Sequence, residues 1–488
     1  MKSKIKYIGL LLIILASAIS SCKKDTGNYD YSELPAFKVD TTGFGGNIDV
    51  TQFNTLEIQP KITFKGEESN LSYLWRIYQQ DGKLAIDTLS RERNLKKEIQ
   101  REPGKYIAEL QVSQKKSGLT EVAVYNVTVL QKDAFPRGMM LLEDYPDRTD
   151  LSLVSSTSFL PGSAVQEQVY RSVFSANNGE QLTGRPVQVQ INGSNVYLLT
   201  TLDMKSVDAS RFKVNRNFKD FFYGVQSYVA APKAIAAGRS AYINGNFVYT
   251  GSANAFAAQV FVGDGKEYEA APYVMPDRYN FMFYDQLNTR YLKVGELSNR
   301  ASVYTKGSTG AFFNPAATGK KMLLQGMGFP INTVGTTYKT SWGIFCNPVD
   351  NNQRNLMILN EPNGPLANID ITSAPDILQA NSFAAGELSS FCLYGAKNKL
   401  YRIQADLVSG TSSINSEAGF TAPSDEVITA IDILRTTNKM VFVATWSPSK
   451  SEGKLYLLNL NEVAGSVTGI LKEWSGFGKI LSMNLKNI

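Results

Sequence analysis

Histidine is absent from the 488 residues. Ser/His/Asp and Cys/His nucleophilic arrangements, imidazole zinc sites and imidazole pH switching are therefore excluded. Thiol chemistry rests on three residues, Cys22, Cys346 and Cys392. Cys346 and Cys392 stand in strand-like apolar runs, WGIFC and SSFCLYG. A disulfide between them suits an oxidising compartment, and two separately buried small hydrophobes is the other reading. The turns Gly263-Asp264-Gly265 and Asp350-Asn351-Asn352 lack the ligand count of a calcium loop. No G-x-S-x-G, Walker loop or H-E-x-x-H is present, so neither a metal nor a cofactor is expected and no catalytic residue is assigned. With 44 acids, paired carboxylates for glycoside hydrolysis stay open, no two of them singled out. Tyr273, Tyr279, Tyr284, Phe312 and Phe313 are the candidate ligand-stacking aromatics, with packing in a core as the alternative for each.

Cys22 takes its meaning from what precedes it. Lys2, Lys4 and Lys6 form a basic start, Ile8 to Ile19 an apolar run, and Ser20 and Ser21 a small-residue site. The run is shorter than the about 20 residues a bilayer-crossing helix needs and has the make-up of a secretory signal. Ile19-Ser20-Ser21-Cys22 resembles the lipobox of bacterial lipoproteins, which implies cleavage between Ser21 and Cys22 and a diacylated Cys22. Several acyl chains anchor durably, since each buried methylene contributes about 0.8 kcal/mol. Losing residues 1–21 removes three lysines and no acid, so the formal charge falls from +6 to +3. That is too little to argue for nucleic acid.

Residues 22–36 are polar without apolar period, as a tether requires. From residue 37 to 132 the chain reads as short strands with turn signals at Asp81-Gly82 and Ser117-Gly118, an immunoglobulin-like sandwich. Trp75, flanked at period 2 by Tyr73 and Ile77, is expected in its core. Tyr106, Ala108, Leu110 and Val112 alternate inward in the same way. The charged, proline-containing stretch KDAFPR closes this domain.

Residues 138–488 carry a recurring unit, an apolar strand, a tight polar turn and a second strand. It appears at 187–199, 241–251, 281–294, 392–403 and 430–446, with a weaker copy at 343–359. Asn-Gly at 192–193 and 244–245 signals type I′ hairpins. Tyr197, Tyr249, Tyr291, Leu356, Tyr401 and Phe442 fall 52, 42, 65, 45 and 41 residues apart. Periods near 40 to 50 with hairpins belong to β-propellers. The interval of 65 points to an insertion within Asn299 to Lys339. With the opening segment 139–154, the expectation is an all-β chain whose C-terminal propeller has about seven blades, six to eight in range. KILSMNLKNI at the C-terminus is expected to pair with the opening strand and seal the ring, removing exposed edges.

Three features together resemble the PKD-like family lipoproteins of Bacteroidetes. They are the lipid cysteine, Gly27-Asn28-Tyr29-Asp30-Tyr31 soon after it, and Tyr-x-Trp at 73–75 followed by Gly104-x-Tyr106-x-x-x-Leu110-x-Val112. The resemblance implies an N-terminal PKD-like domain and a lipid-anchored place on the outer membrane, facing the cell exterior. It also implies a non-catalytic, ligand-binding accessory role beside a SusC-like TonB-dependent transporter and a SusD-like lipoprotein, in uptake of oligopeptides or glycans. A carboxylate-dependent hydrolase and an iron-chelate-binding lipoprotein are the alternatives carried alongside it.

Overall fold

The computed structural model describes residues 37–40, 47–81, 86–161, 165, 167–222, 232–236, 241–252, 255–276, 280–295, 298–307, 312–333, 336–435 and 437–487. The signal segment, Ser21, Cys22 and the 22–36 tether lie outside the described residues. Apart from the α-helix Val173–Asn178 and short 3-10 turns, every described element is a strand. The chain divides into two compact units. One comprises residues up to 48, 57–97 and 106–127, and the other 49–56, 98–105 and 128–488.

In the first unit the strands Thr120–Leu130, Gly104–Gln114, Leu71–Gln79 and Asp87–Ser90 lie side by side in that order. Trp75 stands opposite Leu110 and Ile77 opposite Ala108. Side chains two apart share a sheet face, so Trp75, Ile77, Ala108, Leu110 and Val112 are all fully buried. Tyr125 packs 5.6 Å from the Trp75 ring. The indole N–H donates to the Glu92 and Arg93 carbonyls at 3.1 and 3.2 Å, which satisfies the one polar atom Trp75 brings into the core. Tyr73 departs from the period-2 expectation. It stays partly exposed and donates to Glu68 at 3.0 Å.

The second unit holds, among its described residues, seven consecutive sheets of four or five strands. They span 138–170 with Lys479–Lys486 added, 186–217, 232–259, 261–303, 321–370, 380–421 and 427–477, and are called sheets one to seven below. One edge strand of each sheet touches the corresponding strand of the next. The series is Pro186–Asn192, Pro232–Ala236, Ala270–Pro276, Lys321–Thr333, Ala380–Ala385, Val427–Ile433 and Lys479–Lys486, and the last touches the first again.

Packing follows the same cycle. Val196 and Leu198 point toward sheet one, where they meet Met140, Leu142, Leu151 and Leu153. Their neighbours Tyr197 and Leu199 point the other way, toward Tyr242 and Tyr249 of sheet three. Like wedges lie between sheets three and four, four and five, five and six, six and seven, and seven and one. A sheet covered on both faces needs strands that are apolar throughout, which is why VYLL, FMFY and LMIL run without alternation. Each fully buried Leu or Phe adds about 1.5–3 kcal/mol. The arrangement is propeller-like.

Lys479–Lys486 pairs antiparallel with Gly138–Asp144, Gly138 opposite Lys486 and Asp144 opposite Lys479. The first and last strands of the repeat region thus share one sheet. Segment 49–56 also belongs to this unit. Phe53, at φ +64°, packs edge-on against Phe135 and Tyr170 at 5.1 and 5.5 Å. The Gln52 carboxamide donates to the carbonyls of Arg101 and Ala176, both at 2.8 Å.

Three expectations change. The hairpins at 187–199 and 430–446 join a sheet's first and second strands, whereas the other four join second and third. The uneven spacing therefore mixes two phases of one repeat. The interval of 65 reflects segment 304–320 and the 13-residue strand Lys321–Thr333. Asn192 pairs with Asn195 and Asn244 with Phe247, so Gly193 and Gly245 are the first central residues. Each has positive φ, +55° and +61°, and Ser194 and Asn246 do not, which is the type II′ pattern in place of I′. Cys346 and Cys392 are free, buried thiols on sheets five and six. They fit the reading of two small buried hydrophobes, and burial drives the Cys392 thiol well above its ordinary pKa.

Candidate functional site

The edge strands that meet around the second unit also line a cavity of about 320 Å3. Among the described side chains, six of the seven contribute to it, and Gln188 and Gln190, like Ser482 and Asn484, stand two apart and share a strand face. Gln188 and Gln190 come from sheet two, Gln325 from sheet five, Asn381 from sheet six, Thr429 and Asp432 from sheet seven, and Ser482 and Asn484 from sheet one. Such residues are the visible exception to the apolar strands. A side chain that faces the cavity has no neighbouring sheet to pack against.

Side chains tie the wall strands to one another. Ser482 Oγ accepts from the Val189 N–H at 3.0 Å, the Asn381 carboxamide donates to Ile428 O at 2.7 Å, and Tyr273 OH donates to Leu323 O at 3.2 Å. These bonds satisfy edge groups that have no partner strand on the cavity side.

One stretch of the wall carries charge. Asp432 lies 4.0 Å from Arg435, Arg435 lies 3.3 Å from Glu387, and Lys339 reaches Glu387 at 3.2 Å. The Glu387 backbone N–H donates to Asn438 Oδ1 at 3.0 Å, which fixes the loop that presents it. Asp432 keeps one-fifth of its side chain in contact with solvent, at 20%, but is enclosed by the cavity wall. Burial therefore pushes its carboxyl up to about 6, with the Glu387 charge adding to the rise, and Arg435 and the Ile433 N–H opposing it. Charged chains of opposite sign balance across this stretch, and the rest of the wall offers carboxamides and hydroxyls, each both donor and acceptor. The arrangement suits binding of a polar ligand.

A second pair of carboxyls lies away from the cavity. Glu143 and Asp150 face each other across the first two strands of sheet one, both fully buried. Glu143 Oε2 accepts from Tyr145 OH at 2.8 Å and from the Gly478 N–H at 2.7 Å. Burial raises Glu143 to about 7, against these two hydrogen bonds, with the Asp150 charge adding to the rise. Asp150 accepts from the Leu151 and Ser175 N–H groups at 2.9 and 3.2 Å. Sealed from solvent, the pair holds the seam where the C-terminal strand joins the first sheet.

Of the five candidate aromatics, Tyr273 reaches the cavity wall. Tyr284 is fully buried, 5.0 Å from Tyr291 and 5.2 Å from Phe345. It is a wedge residue with no face left for a ligand. Phe313 sits in the same wedge, Phe312 is exposed beside Gly410 and away from the cavity wall, and Tyr279 lies outside the described residues. Sequence reasoning missed Gln188, Gln190, Gln325, Asn381, Asp432 and Asn484. The available signal was a polar residue recurring in the strand that opens each sheet, as in VQVQIN and ITAIDI. Among the described residues no cluster of three His, Cys, Asp or Glu could hold a metal ion.

Residues 22–186 match the model of the PKD-like family. The matched stretch ends where sheet two begins, so it covers the first unit, the Gln52–Phe53 segment and the strands of sheet one other than the last. No curated protein matches the chain. Among solved structures, a quinonprotein alcohol dehydrogenase-like protein of Bacteroides thetaiotaomicron is 13% identical with a TM-score of 0.47, over 93% of this chain and 100% of that one. AztD of Citrobacter koseri is 12% identical with a TM-score of 0.33, over 85% and 97%. The Nup133 β-propeller domain of Vanderwaltozyma polyspora is 9% identical with a TM-score of 0.35, over 61% and 87%.

Proposed function

We propose that the second unit is a closed seven-bladed β-propeller whose central cavity binds a ligand without transforming it. The chain would act as a cell-surface lipoprotein of the outer membrane, held through Cys22, and as an accessory subunit of a SusC/SusD-type TonB-dependent uptake system for oligopeptides or glycans. The observation that carries the binding role is the polar cavity, walled by one strand from six of the seven sheets, with its charges balanced. The cyclic strand contacts and the shared first sheet support the closed ring. The match of residues 22–186 to the PKD-like family supports the resemblance from which the anchoring and uptake roles follow.

Affinity purification from the native membrane in mild detergent tests the assembly. A SusC-like transporter and a SusD-like lipoprotein should co-purify, and recovery of the chain alone would end that part of the reading. Cys22→Ser should move the protein to the soluble fraction with its thermal unfolding unchanged. Continued membrane attachment of this variant in high salt would remove the lipid anchor from the account.

A carboxylate-dependent hydrolase is the second reading, favoured by Asp432, raised to about 6 beside Glu387. A raised carboxyl near a second carboxyl is the arrangement of an acid and its partner. Turnover of a glycan or peptide panel that disappears in Asp432→Asn would establish it.

A further inference from the structure

Resting on the binding role proposed above, we infer that the cavity ligand is a neutral, hydroxyl-rich molecule of one or two sugar rings, held by carboxamides and the faces of Tyr273 and Phe383. Four observations converge on this class. First, Gln190, Gln325 and Asn484 line the cavity; Gln190 spends one amide hydrogen on Ile191 O and Gln325 one on Ser341 Oγ, both at 3.2 Å, and each carboxamide has a second N–H and its oxygen besides. A carboxamide donates and accepts, as a sugar hydroxyl does, whereas an anion needs donors alone and a cation acceptors alone.

Second, among the described residues the charged lining of the cavity is one acid and one base, Asp432 and Arg435, with Glu387 and Lys339 paired behind them. Asp432 and Glu387 stand against Arg435 and Lys339, with Arg435 placed between the two acids. Third, a peptide captured by main-chain pairing needs a vacant strand edge. At Val189, Leu323 and Ile428 those edge groups are already taken by side chains of adjoining wall strands. Fourth, Tyr273 and Phe383 are aromatic rings of the lining, each packed on one side against a wedge, between sheets four and five and between five and six, yet partly exposed, which leaves part of each ring for the C–H side of a sugar. A volume of about 320 Å3 lies at the small end of ligand pockets, which limits the ligand to one or two rings, or to the end of a longer chain.

The test uses the full-length lipoprotein in detergent and isothermal titration. The probes are glucose, mannose, galactose, N-acetylglucosamine, maltose and cellobiose, against triglycine, trialanine, glucuronate and ferric citrate. At least one neutral sugar should bind saturably, and Gln190→Leu and Asn484→Leu should each weaken it by about tenfold, the effect of one lost hydrogen-bonding side chain. Their melting temperatures should match the parent. If a peptide or an anion binds more tightly than every neutral sugar, and the same variants weaken it, the sugar inference falls while the binding role stands. Sugar binding that neither variant changes would place the ligand elsewhere and overturn the inference. If no probe of any class binds, both the inference and the binding role fall.

Discussion

Glu143 and Asp432 are carboxyls raised by the same cause, burial, yet they sit in regions built for opposite ends. Around Glu143 the structure is closed. Its oxygen takes hydrogen bonds from Tyr145 and Gly478, its cross-strand neighbour Asp150 is equally buried, and water has no access. Around Asp432 the structure is open on one side, and the nearest cation, Arg435, is 4.0 Å away and itself more than half exposed, at 56%. A raised pKa therefore does not mark a binding site by itself. What separates the regions is whether the carboxyl can reach something other than protein.

The largest effect should come from breaking the closed region. Glu143→Ala leaves the buried Gly478 N–H without an acceptor, removes the partner of the part-buried Tyr145 hydroxyl and opens a cavity, at a cost of about 4 kcal/mol. Urea unfolding would read this as a lower midpoint, whereas binding in the cavity should be unchanged. A loss under about 1 kcal/mol would mean the seam does not depend on Glu143.

The pH profile sharpens the contrast next. Glu143 goes from 4.5 to about 7 on folding and Asp432 from 3.8 to about 6. In each case the folded state binds the proton more tightly, so stability falls as pH rises between the two values and is constant outside them. Glu143→Gln should remove a decline of about 3 kcal/mol between pH 4.5 and 7. Asp432→Asn should remove a slightly smaller one, also about 3 kcal/mol, between about pH 4 and 6. Equilibrium unfolding across this range checks both as the difference between parent and variant, and a difference that does not change with pH would contradict them. The Asp432 variant should also alter ligand binding, and the Glu143 variant should not.

The smallest change is expected in the wall. Ser482→Ala removes the acceptor for the Val189 N–H, but water in the cavity replaces it, so the loss should be about 0.5–1 kcal/mol. A loss as large as that of Glu143→Ala would show the wall to be as dry as the seam.

The class of fold was legible because its signals are local. Strand residues, hairpin turns and the spacing of Trp75, Leu110 and Val112 follow from side-chain period alone. The partnership of Gly138–Asp144 with Lys479–Lys486 was legible too, since a ring of sheets needs its ends joined. The wedge and the cavity wall were not. Tyr284 and Tyr273 are both aromatic strand residues that pack into one wedge, and no sequence pattern says that Tyr273 alone also reaches the cavity lining.

By itself the sequence determined the all-β character, the absence of imidazole chemistry and the repeat, because composition and short-range spacing suffice for these. Only the tertiary structure decided the phase of the repeat and the different surroundings of Glu143 and Asp432. Those depend on which sheet faces lie against each other. In a chain whose strands are apolar on both sides, the register between distant segments, and no local preference, assigns each residue its face.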